Sequence, residues 1–320
     1  MIKDIEIIEY KCFKNLKLEG LSKINIITGG NNVGKTALLE ALFIEDEIAQ
    51  DKSLSFNINS ILRVAKNRDV HKKGLKRYLE SFNLKIKTDR SYISIGYKNR
   101  YELKDGFKKQ AEEFNSDYDG FLMLYKSLSS SNIFLKPTIN IEYSDYNINF
   151  LNYMNSSTPT TKRVIDLYFN IQTKAIQDEF LEYLKIIDGN ISRVEPYYID
   201  GRLTLKVNLI NPKYSLTLFE LGDATSRFIE ILSILLSNSG GVVFIDDIDC
   251  KIDLSKLKEI FKVIIKIVKN EKIQLFVTLQ NRESMKLFNR ACEELEYKDI
   301  KLLELIKESI TIDIKNLEKI

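Results

Sequence analysis

The chain has 320 residues, of which 44% are hydrophobic, enough for the core of one large domain or two ordinary ones. Its 48 basic and 45 acidic side chains leave a net charge of +3, so the overall charge identifies no partner and any basic surface must be local. Cys12, Cys250 and Cys292 lie far apart and His71 is the only histidine, which argues against a Cys/His zinc site and a His-based catalytic triad.

The N-terminus alternates like a strand over residues 1–6 and lacks the basic-then-apolar layout of a secretory signal. No stretch approaches the roughly 18 to 20 apolar residues of a membrane span. We therefore expect no membrane association and a reducing, cytoplasmic setting.

Two short segments with alternating apolar and polar residues open the chain, at 5–10 and 16–19. The connection over 12–15 is short enough to join neighbouring strands, which predicts a small antiparallel β arm. The apolar run at 23–27 that follows is typical of a buried strand.

Residues 29–36 read GGNNVGKT and fit the phosphate-binding loop G-x-x-x-x-G-K-[ST] at every fixed position. The motif follows the strand at 23–27 and precedes a segment of strong helix formers at 37–43, which is the order that such a loop needs. Backbone N–H groups of the loop and the Lys35 ammonium would bind the β- and γ-phosphates, and the Thr36 hydroxyl would bind Mg²⁺. The residues expected to contact the nucleotide here are Gly29, Asn31, Asn32, Gly34, Lys35 and Thr36.

The segment after this helix is locally basic. Between residues 63 and 77 lie Arg63, Lys66, Arg68, Lys72, Lys73, Lys76 and Arg77, against only Asp69. Such a cluster could bind nucleic-acid phosphates, or it could be the solvated face of a helix. Both interpretations stay open.

The elements predicted next are a hairpin formed by 91–97 and 101–103, a helix over 107–128, and strands at 139–143 and 146–150. Helical spacing from 162 to 187 predicts one long helix or two. Residues 51–190 therefore resemble an insertion between an N-terminal head segment, 1–50, and a C-terminal one, 191–320.

The C-terminal segment begins with strands at 191–199 and 203–210 joined by Asp200 and Gly201, a strong hairpin signal. An apolar helix at 228–236 and a strand at 242–245 follow, and this strand runs directly into Asp246 and Asp247. A buried parallel strand ending in an acid can deliver that carboxylate to Mg²⁺ beside the phosphate loop.

Helix, strand and helix follow at 255–269, 273–278 and 283–295, and this alternation predicts a mostly parallel sheet. Two nearby side chains have alternative roles. Arg227 could contact a phosphate or pair with an acid at the surface. Asp249 could support the metal site from behind or be a turn residue.

These residues resemble the ABC-type AAA-family ATPases related to SMC proteins and to the ATPase half of OLD nucleases. The resemblance covers about residues 2–45 and 180–290. It rests on FKNLKLEGLSKINIITGGNNVGKTALLEALF at the N-terminus and on LGDATSRF, VVFIDDID and IQLFVTLQNRES in the same order as the family motifs. It implies an α/β P-loop ATPase head of ABC type, with an antiparallel arm, a mostly parallel core sheet and an inserted α/β region.

The resemblance also implies a homodimer in which two heads sandwich ATP, the phosphate loop of one facing the Leu-Gly-Asp motif of the other. By position, Asp246 would hold Mg²⁺ and Asp247 would occupy the place of the family's water-activating Glu. Gln280 stands where the family has a His near the γ-phosphate. Gly222, Asp223 and Arg227 belong to the motif that acts on the partner's nucleotide.

Three of these elements depart from the family pattern. Asp247 is one methylene shorter than Glu, and a base must lie within about 2.6 to 3.2 Å of its water or act through a bridge. Gln280 can hydrogen-bond but cannot become a cation, and Ala224 adds a methyl group where the family has Gly. The sequence therefore predicts ATP and Mg²⁺ binding more securely than rapid turnover.

Three functions remain in competition. The first is an ATP-gated dimerising switch with slow hydrolysis, and the second is an ATP-binding scaffold for an effector that hydrolyses little or nothing. The third is a DNA- or RNA-binding SMC-like ATPase using residues 63–77. The chain shows no nuclease segment after the ATPase segment, so we expect no nuclease activity of its own. A role in anti-phage defence beside a separate effector is suggested by the resemblance alone.

Overall fold

The computed structural model describes residues 1–50, 61, 64–65, 68, 72–99, 120–127, 131–137, 152–155, 161–211, 213–218, 220–308 and 311–316. Its strands are β1 (Ile5–Tyr10), β2 (Phe13–Leu18), β3 (Ile24–Gly29), β4 (Asn83–Thr88), β5 (Tyr92–Asn99), β6 (Gly120–Ser127), β7 (Ser131–Pro137), β8 (Tyr153–Met154), β9 (Ile191–Ile199), β10 (Arg202–Leu209), β11 (Ser215–Thr217), β12 (Val242–Ile245), β13 (Gln274–Thr278), β14 (Ile300–Glu308) and β15 (Thr311–Asn316). Its helices are α1 (Lys35–Gln50), α2 (Lys72–Glu80), α3 (Thr161–Thr173), α4 (Gln177–Leu184), α5 (Asp223–Ser237), α6 (Leu254–Asn270) and α7 (Arg282–Glu294).

The parallel sheet has six strands in the order β15-β14-β3-β13-β12-β8. All neighbours run parallel except β14 and β15, which confirms the predicted mostly parallel core sheet. The strands β3, β12 and β13 are buried on both faces, as their continuous apolar runs predict. The strands β14 and β15, which the sequence analysis did not anticipate, extend this sheet beyond β3.

Alternate residues of these strands belong to two cores. Val243 and Ile245 pack with residues of α3 to α7, whereas Phe244 and Phe276 pack with α1 and the antiparallel sheet. The parallel sheet therefore lies between two layers, and the carboxyl ends of β3, β12 and β13 point to the same edge. That edge carries the candidate site.

The antiparallel sheet also has six strands, in the order β2-β1-β4-β5-β6-β7. The arm predicted at the N-terminus is present, but β2 begins at Phe13, so the turn is shorter than the predicted connection over 12–15. Lys11 adopts a left-handed conformation with φ 51°, which closes the chain within two residues, and the Phe13 side chain can then enter the core.

The helix predicted over 107–128 is wrong for its last part, because Gly120–Ser127 is the strand β6, paired with both β5 and β7. Leu122 and Leu124 are buried while Met123 and Tyr125 are half-buried, an alternation with the period of a strand. The predicted partner at 101–103, the remainder of that helix, and the strands at 139–143 and 146–150 lie outside the described residues.

The segment 162–187 forms two helices, α3 and α4, separated at Ala175 with φ 55°. The hairpin at Asp200 and Gly201 is present, with φ values of 49° and 73° that suit a tight turn. Within the described ranges, no helix is long and apolar enough to cross a membrane.

The segment 51–190 contributes to both large sheets. It supplies β4 to β7 of the antiparallel sheet, and β8 pairs in parallel with β12 through Tyr153–Phe244 and Met154–Ile245. This segment is thus built onto the strands of the head, and the domain boundaries at 50 and 190 stay predictions.

Candidate ATP-binding site

The phosphate loop leads from β3 into α1, and close approach requires glycine at two of its positions, Gly29 and Gly34. Gly29 has φ 140°, and a Cβ there would lie 2.5 Å from the Leu305 carbonyl oxygen in β14. Gly34 has φ 103°, and its Cβ would lie 2.7 Å from Cys12 Sγ and 2.9 Å from Phe13 Cζ. A side chain at either position would therefore strain the backbone and collide with neighbouring strands.

The Lys35 side chain folds back across the mouth of this loop. Its Nζ donates hydrogen bonds of 2.9 Å to the carbonyl oxygens of both Gly29 and Gly30. Asn31 and Asn32 are exposed at the tip, and Asn32 adopts a left-handed conformation with φ 60°. The loop thus presents an ammonium group and a helix N-terminus at one place, an arrangement that attracts phosphate.

Asp246 directly follows β12 and accepts hydrogen bonds from two threonines. Thr36 Oγ1 donates to Asp246 Oδ2 at 2.8 Å, and Thr278 Oγ1, at the end of β13, donates to Oδ1 at 2.7 Å. Asp246 is only 3% exposed. Burial raises the pKa of Asp246, and the hydrogen bond from Thr278 partly opposes that shift.

The Thr36 hydroxyl and the Asp246 carboxylate form an oxygen pair of the kind that Mg²⁺ prefers. The described residues contain no group of three or more His, Cys, Asp or Glu side chains able to hold a metal ion by themselves. Mg²⁺ bound with few protein ligands normally completes its coordination with phosphate oxygens and water. The donor set therefore fits Mg²⁺ carried by a nucleotide, and metal binding by Thr36 and Asp246 stays a prediction.

Asp247 lies beside Asp246 in a strained conformation. Its φ is 49°, and the left-handed region costs a non-glycine residue about 1 to 2 kcal/mol. Its N–H donates to Thr278 Oγ1 at 2.7 Å, and its half-buried side chain lines the same cavity as the phosphate loop. Strain of this kind persists where the surrounding structure holds the residue and is frequent at functional sites.

Gln280 lies opposite, after β13, and also lines the cavity. Its N–H donates to Asp249 Oδ1 at 3.2 Å, and Asn281 Nδ2 approaches Asp249 Oδ2 at 3.4 Å. Asp249 is a buried turn residue, which is one of its two sequence interpretations, and its carboxylate contacts the segment that carries Gln280.

The cavity has a volume of about 830 Å³, within the range of about 300 to 1,000 Å³ typical of ligand sites. It unites the loop, both acidic residues and Gln280, as the sequence predicts. Its lining residues are Lys11, Cys12, Asn31, Asn32, Gly34, Lys35, Thr36, Ala37, Glu40, Arg68, Tyr153, Asn155, Asp246, Asp247 and Gln280.

Sequence reasoning missed an ion cluster in this cavity. Glu40, 1% exposed, pairs with Lys11 Nζ at 2.5 Å and with Arg68 Nε at 2.6 Å. Burial lowers the pKa of Lys11, while Glu40 opposes that shift. Glu40 lies four positions after Thr36, so helical spacing could have placed both on one face of α1. Arg68 belongs to the basic segment 63–77, and the structure directs it toward this carboxylate.

Arg227 lies close to an acid, as one sequence interpretation has it, but in the interior and not at the surface. It is 1% exposed, with Nη2 donating to the carbonyl oxygens of Asp246 at 2.8 Å and Asp247 at 3.4 Å, and Nη1 donating to that of Asn155 at 2.6 Å. Glu230, one turn along α5, is also close, at 3.5 Å. Arg227 therefore faces the interior of its own chain, and contact with a partner's nucleotide stays a prediction.

The rest of the Leu-Gly-Asp motif faces outward. α5 begins at Asp223, so these residues form its first turn and the predicted start at Phe228 was too late. Gly222 and Asp223 are exposed, Gly222 is the N-cap without a side-chain hydrogen bond, and neither lines the cavity of its own chain. The N–H groups of this helix terminus are thus available to a ligand outside the chain.

Fold and site together define a P-loop ATPase head of the SMC/AAA type, as the resemblance implied. The chain belongs to the family described as "AAA domain, putative AbiEii toxin, Type IV TA system", whose model matches residues 24–278. A curated relative, an "ATP/GTP phosphatase" of Helicobacter pylori (strain ATCC 700392 / 26695), is 24% identical over 93% of this chain and 90% of its own length.

Solved SMC heads share the fold at low sequence identity. One, bound to the C-winged helix domain of ScpA, superposes with a TM-score of 0.54 at 14% identity over 99% of this chain and 98% of its own. Another, derived from Pyrococcus furiosus and carrying an extended coiled coil bound to the C-terminal domain of ScpA, gives 0.51 at 12% identity over 99% and 96%. These similarities confirm the predicted fold class.

Proposed function

We propose that the protein is an ATP-gated switch whose two copies close on nucleotide and hydrolyse it slowly. The observation that carries this proposal is the direct contact of Thr36 with Asp246 at 2.8 Å beneath the phosphate loop. It brings the loop helix and the acid after β12 together in one large cavity, which supports a Mg·ATP site there.

In this mechanism the loop amides and the Lys35 ammonium bind the β- and γ-phosphates. Lys35 exchanges its two carbonyl partners at 2.9 Å for phosphate oxygens. Thr36 and Asp246 would hold Mg²⁺, which neutralises charge that develops on the phosphates during transfer.

Hydrolysis requires a water molecule aligned with the γ-phosphorus. Asp247 accepts the proton of that water as its oxygen attacks, ADP leaves with the electrons of the broken P–O bond, and Gln280 orients the water or a phosphate oxygen by hydrogen bonding. The short Asp247 side chain explains why turnover should be slow.

The second copy supplies the remaining donors. Gly222 and Asp223 are exposed and do not line the cavity of their own chain, so the N-terminus of α5 could meet a nucleotide bound by another chain. Binding of ATP by one head would thus promote its association with a second head.

Steady-state ATP turnover of the wild type against Lys35→Ala tests the enzyme part of this proposal. We expect turnover and ATP affinity both to fall by at least about tenfold in the variant, because a charged phosphate partner is lost. Lys174→Ala is the control, because Lys174 directly follows α3, binds the Leu236 carbonyl oxygen and does not line the cavity. Equal turnover rates for the wild type and Lys35→Ala would refute the proposed ATPase activity.

Association is tested separately by light scattering with a non-hydrolysable ATP analogue. The wild type should become dimeric with the analogue and Mg²⁺ and stay monomeric without them. Gly222→Trp, at a position where an added Cβ has no contact within 4 Å, should bind the analogue normally and remain monomeric. A dimer that persists in Gly222→Trp would contradict the sandwich arrangement.

A second function, a scaffold that binds ATP without turnover, is favoured by Asp247 standing where the resemblance implies Glu. An effector partner, an anti-phage setting and a cytoplasmic location are proposals that rest on the resemblance. Nucleic-acid binding by residues 63–77 has less support, since Arg68 is paired with Glu40. This function would gain support if filter binding showed salt-sensitive affinity for nucleic acid. That affinity should be lost on neutralising Lys72, Lys73, Lys76 and Arg77.

A further inference from the structure

We propose that Arg227 is a positioning residue that fixes the corner formed by Asp246 and Asp247. This inference rests on the proposed Mg·ATP site. It replaces a role for Arg227 in binding a partner's nucleotide.

The corner is held by hydrogen bonds on the two peptide planes that flank the Asp247 Cα. On the Arg227 side, Nη2 binds the carbonyl oxygens of Asp246 at 2.8 Å and Asp247 at 3.4 Å. On the opposite side, the Asp247 N–H donates to Thr278 Oγ1 at 2.7 Å. The Ile248 N–H donates to the Thr278 carbonyl oxygen at 3.1 Å. Each plane is therefore bound at both its C=O and its N–H.

Two peptide planes fixed in this way fix φ and ψ of the residue between them. Asp247 is held at φ 49°, in the left-handed region that is uncommon for residues other than glycine. The direction of its Cα–Cβ bond, and hence the reach of its carboxylate into the cavity, follows from the two planes. Asp246 shares the first plane, so its carboxylate opposite Thr36 depends on the same contacts.

A guanidinium suits this task because it is planar and offers donors in several directions. Nη1 reaches the Asn155 carbonyl oxygen after β8 at 2.6 Å while Nη2 binds the corner after β12, so one side chain joins the carboxyl ends of two neighbouring strands. Glu230 lies 3.5 Å from Arg227 and 3.4 Å from Arg163. Its negative charge offsets part of the free-energy cost of burying these two cations. A lysine at 227 would keep the charge but has one nitrogen for the same positions.

The test compares Arg227→Met, Arg227→Lys and the control Arg193→Met, whose side chain is 71% exposed on β9. Affinity for a non-hydrolysable ATP analogue is measured in EDTA and with Mg²⁺, together with kcat, KM and the thermal midpoint. In Arg227→Met we expect affinity in EDTA within about threefold of the wild type, because the phosphate loop is intact. The gain in affinity on adding Mg²⁺, and kcat, should each fall by about tenfold or more, because Asp246 and Asp247 shift.

Arg227→Lys should recover part of both losses, and Arg193→Met should match the wild type. An unchanged Mg²⁺ gain and kcat in Arg227→Met would overturn the inference. So would a parallel loss of affinity with and without Mg²⁺, since that pattern reports general unfolding. A wild type that binds Mg·ATP analogue without turnover would refute the proposed hydrolysis, while the Mg²⁺ gain would still decide the role of Arg227.

Discussion

Thr36 and Asp246 lie 210 positions apart in the chain, yet Thr36 Oγ1 donates a 2.8 Å hydrogen bond to Asp246 Oδ2. The contact exists because β3 and β12 both flank β13 in the parallel sheet, so their carboxyl ends meet at one edge. A hydroxyl and a carboxylate at that edge form the proposed metal-binding half of the site, and burial of the ionised carboxylate costs folding free energy.

That cost predicts opposite effects of Asp246→Asn on stability and binding. Burial raises the pKa of Asp246 in the folded protein, so the ionised carboxylate lowers stability at neutral pH. Asparagine removes the charge and keeps the shape. The thermal midpoint without nucleotide should rise by about 1 to 3 °C, while the gain in ATP affinity on adding Mg²⁺ is lost. A midpoint that falls would contradict the assigned cost, and Asp253→Asn, at an exposed helix N-cap, is the control.

The same shift predicts a pH dependence of metal-assisted binding. Protonation of Asp246 competes with Mg²⁺, and the raised pKa moves this competition above the ordinary value of 3.8. The gain in affinity for an ATP analogue on adding Mg²⁺ should therefore shrink as pH falls, with a midpoint above 3.8 after correction for titration of the nucleotide itself. A gain that is constant down to that pH would show that Asp246 does not bind the metal. Calorimetric titrations across the acid range provide the measurement.

Gly34 and Gly30 offer a matched pair of substitutions within one loop. A Cβ at Gly34 would lie 2.7 Å from Cys12 Sγ with φ 103°, whereas a Cβ at Gly30 would meet Val33 Cγ1 at an ordinary 3.7 Å. Gly34→Ala should therefore weaken ATP binding by about a hundredfold, and Gly30→Ala by less than about fivefold. Equal losses would show that the loop needs glycine at both positions for contact with phosphate.

The buried carboxylate of Glu40 restrains two cations beside the phosphate loop. Glu40→Gln breaks the ion pairs with Lys11 and Arg68 and should lower the free energy of unfolding by about 1 to 3 kcal/mol. The loss is limited because both cations are partly exposed to water. ATP should nevertheless bind more tightly at low salt, because the freed cations attract phosphate. Denaturant unfolding and binding at two salt concentrations test the two effects. Weaker binding at low salt would show that Glu40 serves the nucleotide directly, and Glu182→Gln, with a 69% exposed side chain, is the control.

The sequence predicts those parts of the site that depend on local order. The loop, its flanking strand and helix, and the acids after β12 are each specified by adjacent residues, and the parallel sheet brings their ends together. Arg227 could not be placed in this way, because the carbonyl group that it binds at Asn155 lies 72 positions away. The predicted helix over 107–128 failed at β6, where pairing with β5 and β7 outweighs local propensity.

Asp247→Glu distinguishes the slow ATPase from the inert scaffold. If the short side chain limits the approach of the base to water, the extra methylene should raise kcat by about tenfold, with KM little changed. The left-handed backbone at φ 49° could itself disfavour the longer residue, and Asp200→Glu controls for this, since Asp200 has the same φ in an exposed turn away from the cavity. If turnover by the wild type and by Asp247→Glu both stays at the level of Lys35→Ala, the scaffold is favoured. Binding of ATP is then the output, and Asp247 serves only the geometry of the corner.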